Sequence, residues 1–264
     1  MKYKNLVELI DIIEILRSEN GCAWDRAQTH ETLIPYILEE AYEAVDSIKE
    51  HNSEHLKEEL GDVLLQVLLH SQIAKEENDF DIDDVSKMLK DKLIHRHPHV
   101  FGSPHAMLAQ EIENNWEKLK QQEKTERKSR MDGIPKTLPA LTACQKISRL
   151  AAKAGFEWDK AETLLCCIRS EYDEFKAAVE KNDIDLMEEE MGDIFFATVN
   201  LARWYGLNAE LALLRANKKF IKRFKKMEEL ATKPLEEYSF DEFDTLWEYA
   251  KEKVYKDTRE NRKY

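Results

Sequence analysis

The feature that most constrains this chain is an internal repeat that keeps its spacing in both halves. The motif GCAWD at residues 21–25 returns as GFEWD at residues 155–159, and EELGDVLL at 58–65 returns as EEMGDIFF at 189–196. A tandem repeat means that one folding unit has been used twice. The chain has 264 residues, which is long enough for two domains of modest size. The sequence therefore predicts two similar units.

Hydrophobic periodicity predicts that both units are all-α. Apolar residues recur three or four positions apart, as in Leu6, Leu9, Ile13 and Leu16, and the alternating pattern of a strand is absent. No proline occurs between residues 140 and 233, so long helices can run there, with short turns expected at Gly155 and Gly206. We expect a tandem pair of helical bundles.

The boundary between the units is predicted from a change in composition. Residues 121–130 contain no apolar side chain, and the segment DGIPKTLPA that follows contains one glycine and two prolines. This texture is typical of a linker with a turn-rich exit. We predict a first unit over residues 1–122, a linker over 123–139 and a second unit over 140–264, although residues 121–130 could also extend the preceding helix.

Composition excludes several classes of protein. With 40 Lys and Arg against 53 Asp and Glu the net charge is −13, which argues against a nucleic-acid partner because such proteins neutralise phosphates with cations. No apolar run reaches the length of a membrane span, and acidic residues interrupt the first sixteen positions where a secretory signal would be apolar. Four cysteines without a CxxC spacing predict reduced thiols and a cytoplasmic location. The seven glycines are too far apart for a Walker loop or a dinucleotide-binding motif.

The repeat carries a frame of carboxylates in the pattern ExxE, fifteen residues, ExxD. Residues three apart share a helix face, and fifteen residues accommodate a turn between two antiparallel helices, so four carboxylates can converge on one point. The frame consists of Glu40, Glu43, Glu59 and Asp62 in the first copy and of Glu171, Glu174, Glu190 and Asp193 in the second. Every member of the second set lies 131 residues after its counterpart.

A bound divalent cation explains this frame better than a solvated acidic face, the ordinary interpretation of ExxE in a charged chain. Each frame runs into an apolar segment, where clustered carboxylates would repel each other and be poorly solvated. Oxygen ligands without Cys or His favour Mg²⁺. A di-iron bundle would need Glu-x-x-His pairs, which the sequence lacks, and all eight histidines precede residue 106, so a chemistry shared by both copies does not use them.

Cations and aromatic residues of the second half complete the candidate site. Carboxylate-held Mg²⁺ is suited to displacement at phosphorus. Lys219 and Arg223, four residues apart on one helix face, can hold phosphates in the absence of a glycine-rich loop. Trp247 can stack on a base, with Lys251 one turn later, although Trp247 could equally be a packing residue.

Together these motifs resemble the two-copy MazG nucleoside triphosphate pyrophosphohydrolases over essentially the whole chain. The resemblance rests on the two carboxylate frames, the duplication, GCAWD and the segment RHPHVF at residues 96–101. It implies an all-α, Mg²⁺-dependent enzyme, usually a homodimer, that converts a nucleoside triphosphate and water into a monophosphate and pyrophosphate. It also implies broad base preference and a role in clearing nucleotide pools.

The resemblance assigns roles by position. It implies that the second copy is the main catalytic unit, with its four frame carboxylates as metal ligands, and that the first-copy frame is their equivalent. Glu189 and Glu190 are expected to be catalytic, with Glu189 as the neighbour that activates water. Lys219, Arg223, Trp247 and Lys251 are expected to contact the nucleotide. The second copy departs from the family pattern Glu-Glu-x-x-Glu, because Ser170 occupies the first position.

Three other functions remain open on the sequence. Related all-α dUTP pyrophosphatases and phosphoribosyl-ATP pyrophosphohydrolases use similar frames, so a dUTP-specific enzyme is one alternative. A non-catalytic helical scaffold that senses nucleotides is a second alternative. A purely structural dimerisation module is a third.

Overall fold

A computed structural model describes residues 3–102 and 128–260, together with the isolated positions 112, 115 and 119. All regular structure in these residues is helical, and they contain no strand, so the all-α prediction is confirmed. The chain divides into two compact units, residues 1–124 and 125–264. The linker proposed for residues 123–139 stays a prediction, and its first five positions lie outside the described residues.

The first unit is built around a long helical hairpin. Its described helices are α1 (Lys4–Arg17), α2 (Ala23–Ala27), α3 (Ile34–Glu50), α4 (Ser53–Glu76), α5 (Ile82–Arg96) and α6 (Pro98–Phe101). Helices α3 and α4 pair along their lengths, and α1 packs against α4. A core of Ile13, Leu33, Leu68, Leu69 and Ile73 fills the space between α1, α4 and the start of α3.

The second unit repeats this hairpin and adds another. Its described helices are α7 (Ala140–Lys153), α8 (Ala161–Lys181), α9 (Ile184–Trp204), α10 (Ala209–Leu230) and α11 (Phe240–Glu260), with a short 3₁₀ turn at Leu235–Glu237 before α11. Helices α8 and α9 form the counterpart of α3 and α4, and α7 packs across α9. Helices α10 and α11 pair with each other.

The tight turns in each hairpin follow from their residues. Helix α3 ends at His51, which has a left-handed backbone (φ 55°), and the side chain of Asn52 then accepts hydrogen bonds from the first backbone amides of α4. Helix α8 ends in the same way at Asn182 (φ 53°), and Asp183 caps α9. A left-handed residue ends one helix and an Asn or Asp starts the next, so each turn needs only two residues.

Two glycine turns connect the remaining helices of the second unit. Gly155 (φ 95°) follows α7 and Gly206 (φ 68°) follows α9, and a left-handed backbone favours glycine because glycine has no Cβ. The turns expected at both positions are confirmed. None of the helices in the described part of the chain is both long and apolar enough to cross a bilayer.

Candidate active site

Three carboxylates of the first unit meet between α3 and α4. Glu40 and Glu43 lie one turn apart on α3, and Glu59 faces them from α4. One oxygen from each lies within 4.8 Å of the others. The first-copy frame thus brings residues from two antiparallel helices to one point, as its spacing predicts.

The second unit builds the same group between α8 and α9. Glu171, Glu174 and Glu190 each offer an oxygen within 4.8 Å of the other two. Glu171 and Glu190 are half-buried, and Glu174 is exposed. Cys167, one turn before Glu171, donates its thiol to the Glu171 carboxylate at 3.4 Å.

The remaining members of each frame lie at the edge of these groups. Asp62 and Asp193 are outside the close sets of three oxygens, yet each acts electrostatically on its neighbours. Glu189 also acts on Glu190. Ligation by the two aspartates therefore stays a prediction.

Burial and repulsion raise the proton affinity of these carboxylates. The pKa of Glu190 is raised by desolvation and then by the charges of Glu174, Glu171, Asp193 and Glu189. In the first unit the pKa of Glu40 is raised by desolvation and then by Asp62, Glu43 and Glu39. Each named cause disfavours the ionised form.

The donor set fits a hard divalent cation. Carboxylate oxygens from two helices are the ligands that Mg²⁺ uses, usually with water and phosphate oxygens completing its shell. A cation would also offset the mutual repulsion of these groups. The metal itself is a proposal, which is taken up below.

A cavity of about 310 Å³ adjoins the carboxylates of the second unit. Phe156, Trp158 and Phe196 form aromatic parts of its wall, and Glu171 and Asp193 belong to its lining. Small-molecule sites have volumes of roughly 300–1,000 Å³ and combine apolar walls with a few polar groups. The cavity therefore has the size and character of a ligand site, and it shares two residues with the carboxylate frame.

Polar side chains from three segments meet at this cavity. Arg203 on α9 donates from Nε to the Ser148 hydroxyl at 2.6 Å and, with two nitrogens, to the Glu157 carboxylate at 2.6 Å each. Ser148 donates in turn to the Asn200 side-chain oxygen. Asn200 is only 7% exposed, and it lines the cavity together with Ser148.

The predicted nucleotide-binding cations and tryptophan lie on the α10–α11 hairpin. Lys219 is exposed, and Nε of Arg223 is buried without a hydrogen-bond partner. The Trp247 ring packs against Phe220 at a centroid distance of 5.1 Å, and Lys251 pairs with Glu248 at 2.5 Å. The structure does not bring these four residues into the carboxylate group, so their nucleotide contacts stay predictions.

Comparison with known proteins identifies the family. The model of the MazG nucleotide pyrophosphohydrolase domain matches residues 28–101 and 159–227. A nucleoside triphosphate pyrophosphohydrolase/pyrophosphatase MazG from Thermotoga maritima is 47% identical over 249 residues, covering 92% of this chain and 94% of that protein. The chain belongs to the MazG family.

Two further MazG relatives cover most of this chain. The nucleoside triphosphate pyrophosphohydrolase of Escherichia coli K12 is 41% identical over 251 residues, covering 92% of this chain and 95% of its own length. The uncharacterized protein YabN of Bacillus subtilis is 44% identical over 250 residues, which is 91% of this chain and 50% of YabN. The resemblance to MazG proteins and the tandem all-α architecture are both confirmed, since the domain matches twice.

The two MazG units differ where the cavity lies. At the offset of 131 residues, Cys167 corresponds to Tyr36 and Asn200 to Leu69. Tyr36 makes an edge contact with Trp24 at 6.1 Å between centroids, and Leu69 is buried in the apolar core. The first unit therefore places a larger ring and an apolar side chain at positions that line the cavity in the second.

A buried arginine further separates the first MazG unit from the second. Arg17 donates to Glu76 at 2.8 Å, to the Gln28 carbonyl at 3.2 Å and to the Asp25 carbonyl. These bonds tie α1 to α4 and to the segment after α2. In the second MazG unit the corresponding segment is held by Glu157 and Arg203.

Sequence reasoning missed the polar residues of the cavity. Asn200 and Arg203 interrupt the apolar run of α9, and a polar side chain within such a run usually has a specific partner. That signal was available, but it does not identify the partner. Ser148 and Glu157 lie 52 and 43 residues before Asn200, and no motif connects them.

Proposed function

We propose that this protein hydrolyses nucleoside triphosphates to nucleoside monophosphate and pyrophosphate with Mg²⁺ and with broad base preference. Membership of the MazG family makes it a nucleotide pyrophosphohydrolase, a hydrolase acting on phosphorus anhydrides. The observation that carries the proposal is the carboxylate group of the second unit beside a cavity of ligand size. The family role in clearing nucleotide pools, in the cytoplasm, belongs to the same proposal.

Glu171, Glu174, Glu190 and Asp193 are the proposed metal ligands of the second unit. When bound, Mg²⁺ supplies charge neutralisation at the phosphate oxygens and acidifies a bound water. The carboxylates hold their positions because two come from one turn of α8 and two from α9. Glu40, Glu43, Glu59 and Asp62 are the proposed equivalents in the first unit.

Glu189 and Glu190 are the proposed catalytic residues. Glu189 adjoins the metal group without belonging to the close set of three oxygens, which leaves its carboxylate available to accept a proton from water. A general base of this kind contributes through position as well as proton affinity. Glu190 orients the site from α9.

Lys219 and Arg223 are the proposed triphosphate contacts. The buried Nε of Arg223 has no partner in the described residues, and an unpaired buried donor is costly unless a ligand satisfies it. Phosphate oxygens are suitable acceptors for a guanidinium group. Trp247, with Lys251, stays our predicted base-stacking residue, although its packing against Phe220 also fits a structural role.

The second unit is the proposed main catalytic unit. Both units carry the carboxylate group, but only the second combines it with the cavity of about 310 Å³ among the described residues. The cavity described in the first unit measures about 30 Å³ and contains none of the frame carboxylates. Ser170 occupies the position of a usual family glutamate and donates to Glu174 at 3.1 Å, which supports the ligand orientation.

Incubation with Mg²⁺ and a panel of ribo- and deoxynucleoside triphosphates tests the reaction. Chromatography should identify monophosphate and pyrophosphate from several bases. Cleavage of dUTP alone would favour the dUTP-specific alternative, and diphosphate with orthophosphate would place the cut at the wrong bond. Mg²⁺-dependent binding without turnover would favour a nucleotide-sensing scaffold, while no binding would leave a structural module.

Matched substitutions test which unit carries the reaction. We expect Glu190→Gln to lower kcat more than about 100-fold, because weakening even the surroundings of a metal site costs roughly 10–100-fold. The equivalent change Glu59→Gln should leave most turnover in place. Steady-state kinetics of both purified variants measures the difference, and the reverse ranking would assign catalysis to the first unit.

A further inference from the structure

We propose that the cavity of the second unit binds the nucleobase and that Asn200 reads the edge of the base, with Arg203 and Ser148 fixing the orientation of its side-chain amide. This inference rests on the proposed function, because it takes a nucleoside triphosphate as the ligand. It assigns a base site that is separate from Trp247. It also predicts a preference that the carboxylate frame alone does not provide.

The first step is the position of the cavity. Glu171 and Asp193 belong to its lining, so a nucleotide whose phosphates face the carboxylate group has the cavity next to it. Phe156, Trp158 and Phe196 supply aromatic surface there. Planar rings stack well on aromatic side chains, which makes a base the part of the substrate that suits this space.

The second step is the orientation of the Asn200 amide. Arg203 has donors only, so the Ser148 oxygen accepts from it at 2.6 Å. Ser148 must then use its single hydrogen on the Asn200 oxygen. On the other side, the Asn200 nitrogen donates to the Phe196 carbonyl at 3.2 Å. A flipped amide would face that carbonyl with an oxygen and would leave the Ser148 hydrogen unused.

The third step is what Asn200 has left to offer. A carboxamide has two N–H donors and two acceptor lone pairs, and one of each is used within the described residues. One N–H and one lone pair therefore remain beside each other on a residue that lines the cavity. Their order is fixed, because the amide cannot turn over without losing both bonds.

A fixed donor–acceptor order divides the bases into two classes. Adenine and cytosine present an amino donor beside a ring acceptor, whereas guanine and uracil present a keto acceptor beside a ring donor. The same amide can pair with both classes only if the base shifts its pose. Pairing with the wrong class leaves buried polar groups poorly satisfied. Within broad turnover, one class is favoured.

The first unit supports this assignment by its differences. Leu69 occupies the position of Asn200 and lies in the apolar core. An apolar side chain at this point cannot read a base edge. The first unit keeps the carboxylates but has no equivalent of this amide.

The experiment compares kcat/KM for ATP, CTP, GTP and UTP in the full-length protein. We expect the amino pair and the keto pair to differ about tenfold, the size of one misplaced hydrogen bond to a buried group. Asn200→Leu should raise KM for all four and bring the pairs to within about twofold of each other. Ser148→Ala, which frees the amide to turn, should reduce the difference between pairs while keeping Asn200.

Matched controls separate the base site from general damage. Gln66→Leu removes a buried amide from the first unit and should leave the ratio between pairs unchanged. Circular dichroism and melting curves establish that each variant is folded. Titration with nucleoside monophosphates in the absence of metal provides a second readout, in which Asn200→Leu should weaken binding about tenfold.

Distinct outcomes overturn distinct statements. If the wild-type protein hydrolyses no triphosphate, the proposed function fails. If it turns over all four with equal kcat/KM, or if folded Asn200→Leu keeps the wild-type ratio, the base-reading role of Asn200 is wrong. If Trp247→Ala removes the preference and Asn200→Leu does not, the base lies on α11. An unchanged ratio in Ser148→Ala disproves the fixed amide.

Discussion

Arg203 joins three segments of the second unit through a single guanidinium group. It lies near the end of α9, donates to Ser148 on α7 and forms a two-bond contact with Glu157 in the turn after α7. The guanidinium lowers the pKa of the Glu157 carboxyl, chiefly through these hydrogen bonds. The contact holds the turn that carries Phe156 and Trp158 against α9.

The Glu157–Arg203 contact should therefore give a stability that depends on pH. A depressed pKa means that the stabilisation is present above the unfolded-state pKa and is lost as the pH falls through the lower folded-state value. We expect Glu157→Gln to lower the free energy of unfolding by about 1 kcal/mol at pH 7. Urea unfolding of both proteins at pH 7 and pH 3 measures this, and the gap should shrink at pH 3. A gap that is equal at both values would show that the charge is irrelevant.

The residues that the sequence predicted are those with a repeating spacing. Glu171, Glu174 and Glu190 could be grouped because helix geometry and the 131-residue offset both point to one location. Asn200 and Arg203 could not be grouped with Ser148, because their contacts depend on how α7 crosses α9. Such packing is decided by side-chain volumes over the whole unit, which a spacing pattern does not contain.

At the level of elements, each helical hairpin depends on its two-residue turn. The turn between α8 and α9 consists of Asn182, with φ 53°, and Asp183, whose side chain accepts from the Leu186 amide at 3.1 Å. It fixes how the carboxylates of α8 face those of α9. The sequence predicted the hairpin and its approximate turn from the fifteen-residue interval, but the helix ends depend on these capping contacts.

Substitution of Asn182 should reveal the cost of the left-handed backbone. Asn182→Ala places a Cβ in a conformation that asparagine tolerates better, so we expect a loss of about 1 kcal/mol in the free energy of unfolding. Asn182→Gly is the matched control and should be close to neutral, since glycine accepts this conformation. Equal losses in both variants, measured by chemical denaturation, would mean that backbone strain is not the cause.

At the scale of the whole molecule, the second unit leaves apolar side chains uncovered on α10 and α11. Ile221 is 53% exposed and Phe240 is 85% exposed. Contiguous exposed apolar surface in a protein of this kind is commonly covered by a partner. Together with the family resemblance, this supports a homodimer, which stays our proposal.

Sedimentation equilibrium tests the proposed dimer. We expect the full-length protein to have twice the mass of one chain at micromolar concentrations. Ile221→Asp should shift the equilibrium at least about tenfold toward the monomer, because burial of a charge in an apolar interface is unfavourable. Glu236→Asp, on the exposed 3₁₀ turn, is the control. A wild-type protein of single-chain mass would contradict the proposal.

The equal spacing of the two carboxylate frames restricts how the gene can change. Because α8 and α9 are joined by a two-residue turn, inserting one residue between Glu174 and that turn would rotate the preceding carboxylates by about 100° relative to α9. Substitutions in the same stretch change one side chain at a time and leave the others in phase. The interval of 22 residues from Glu40 to Asp62, and equally from Glu171 to Asp193, is thus open to drift in identity but closed to drift in length.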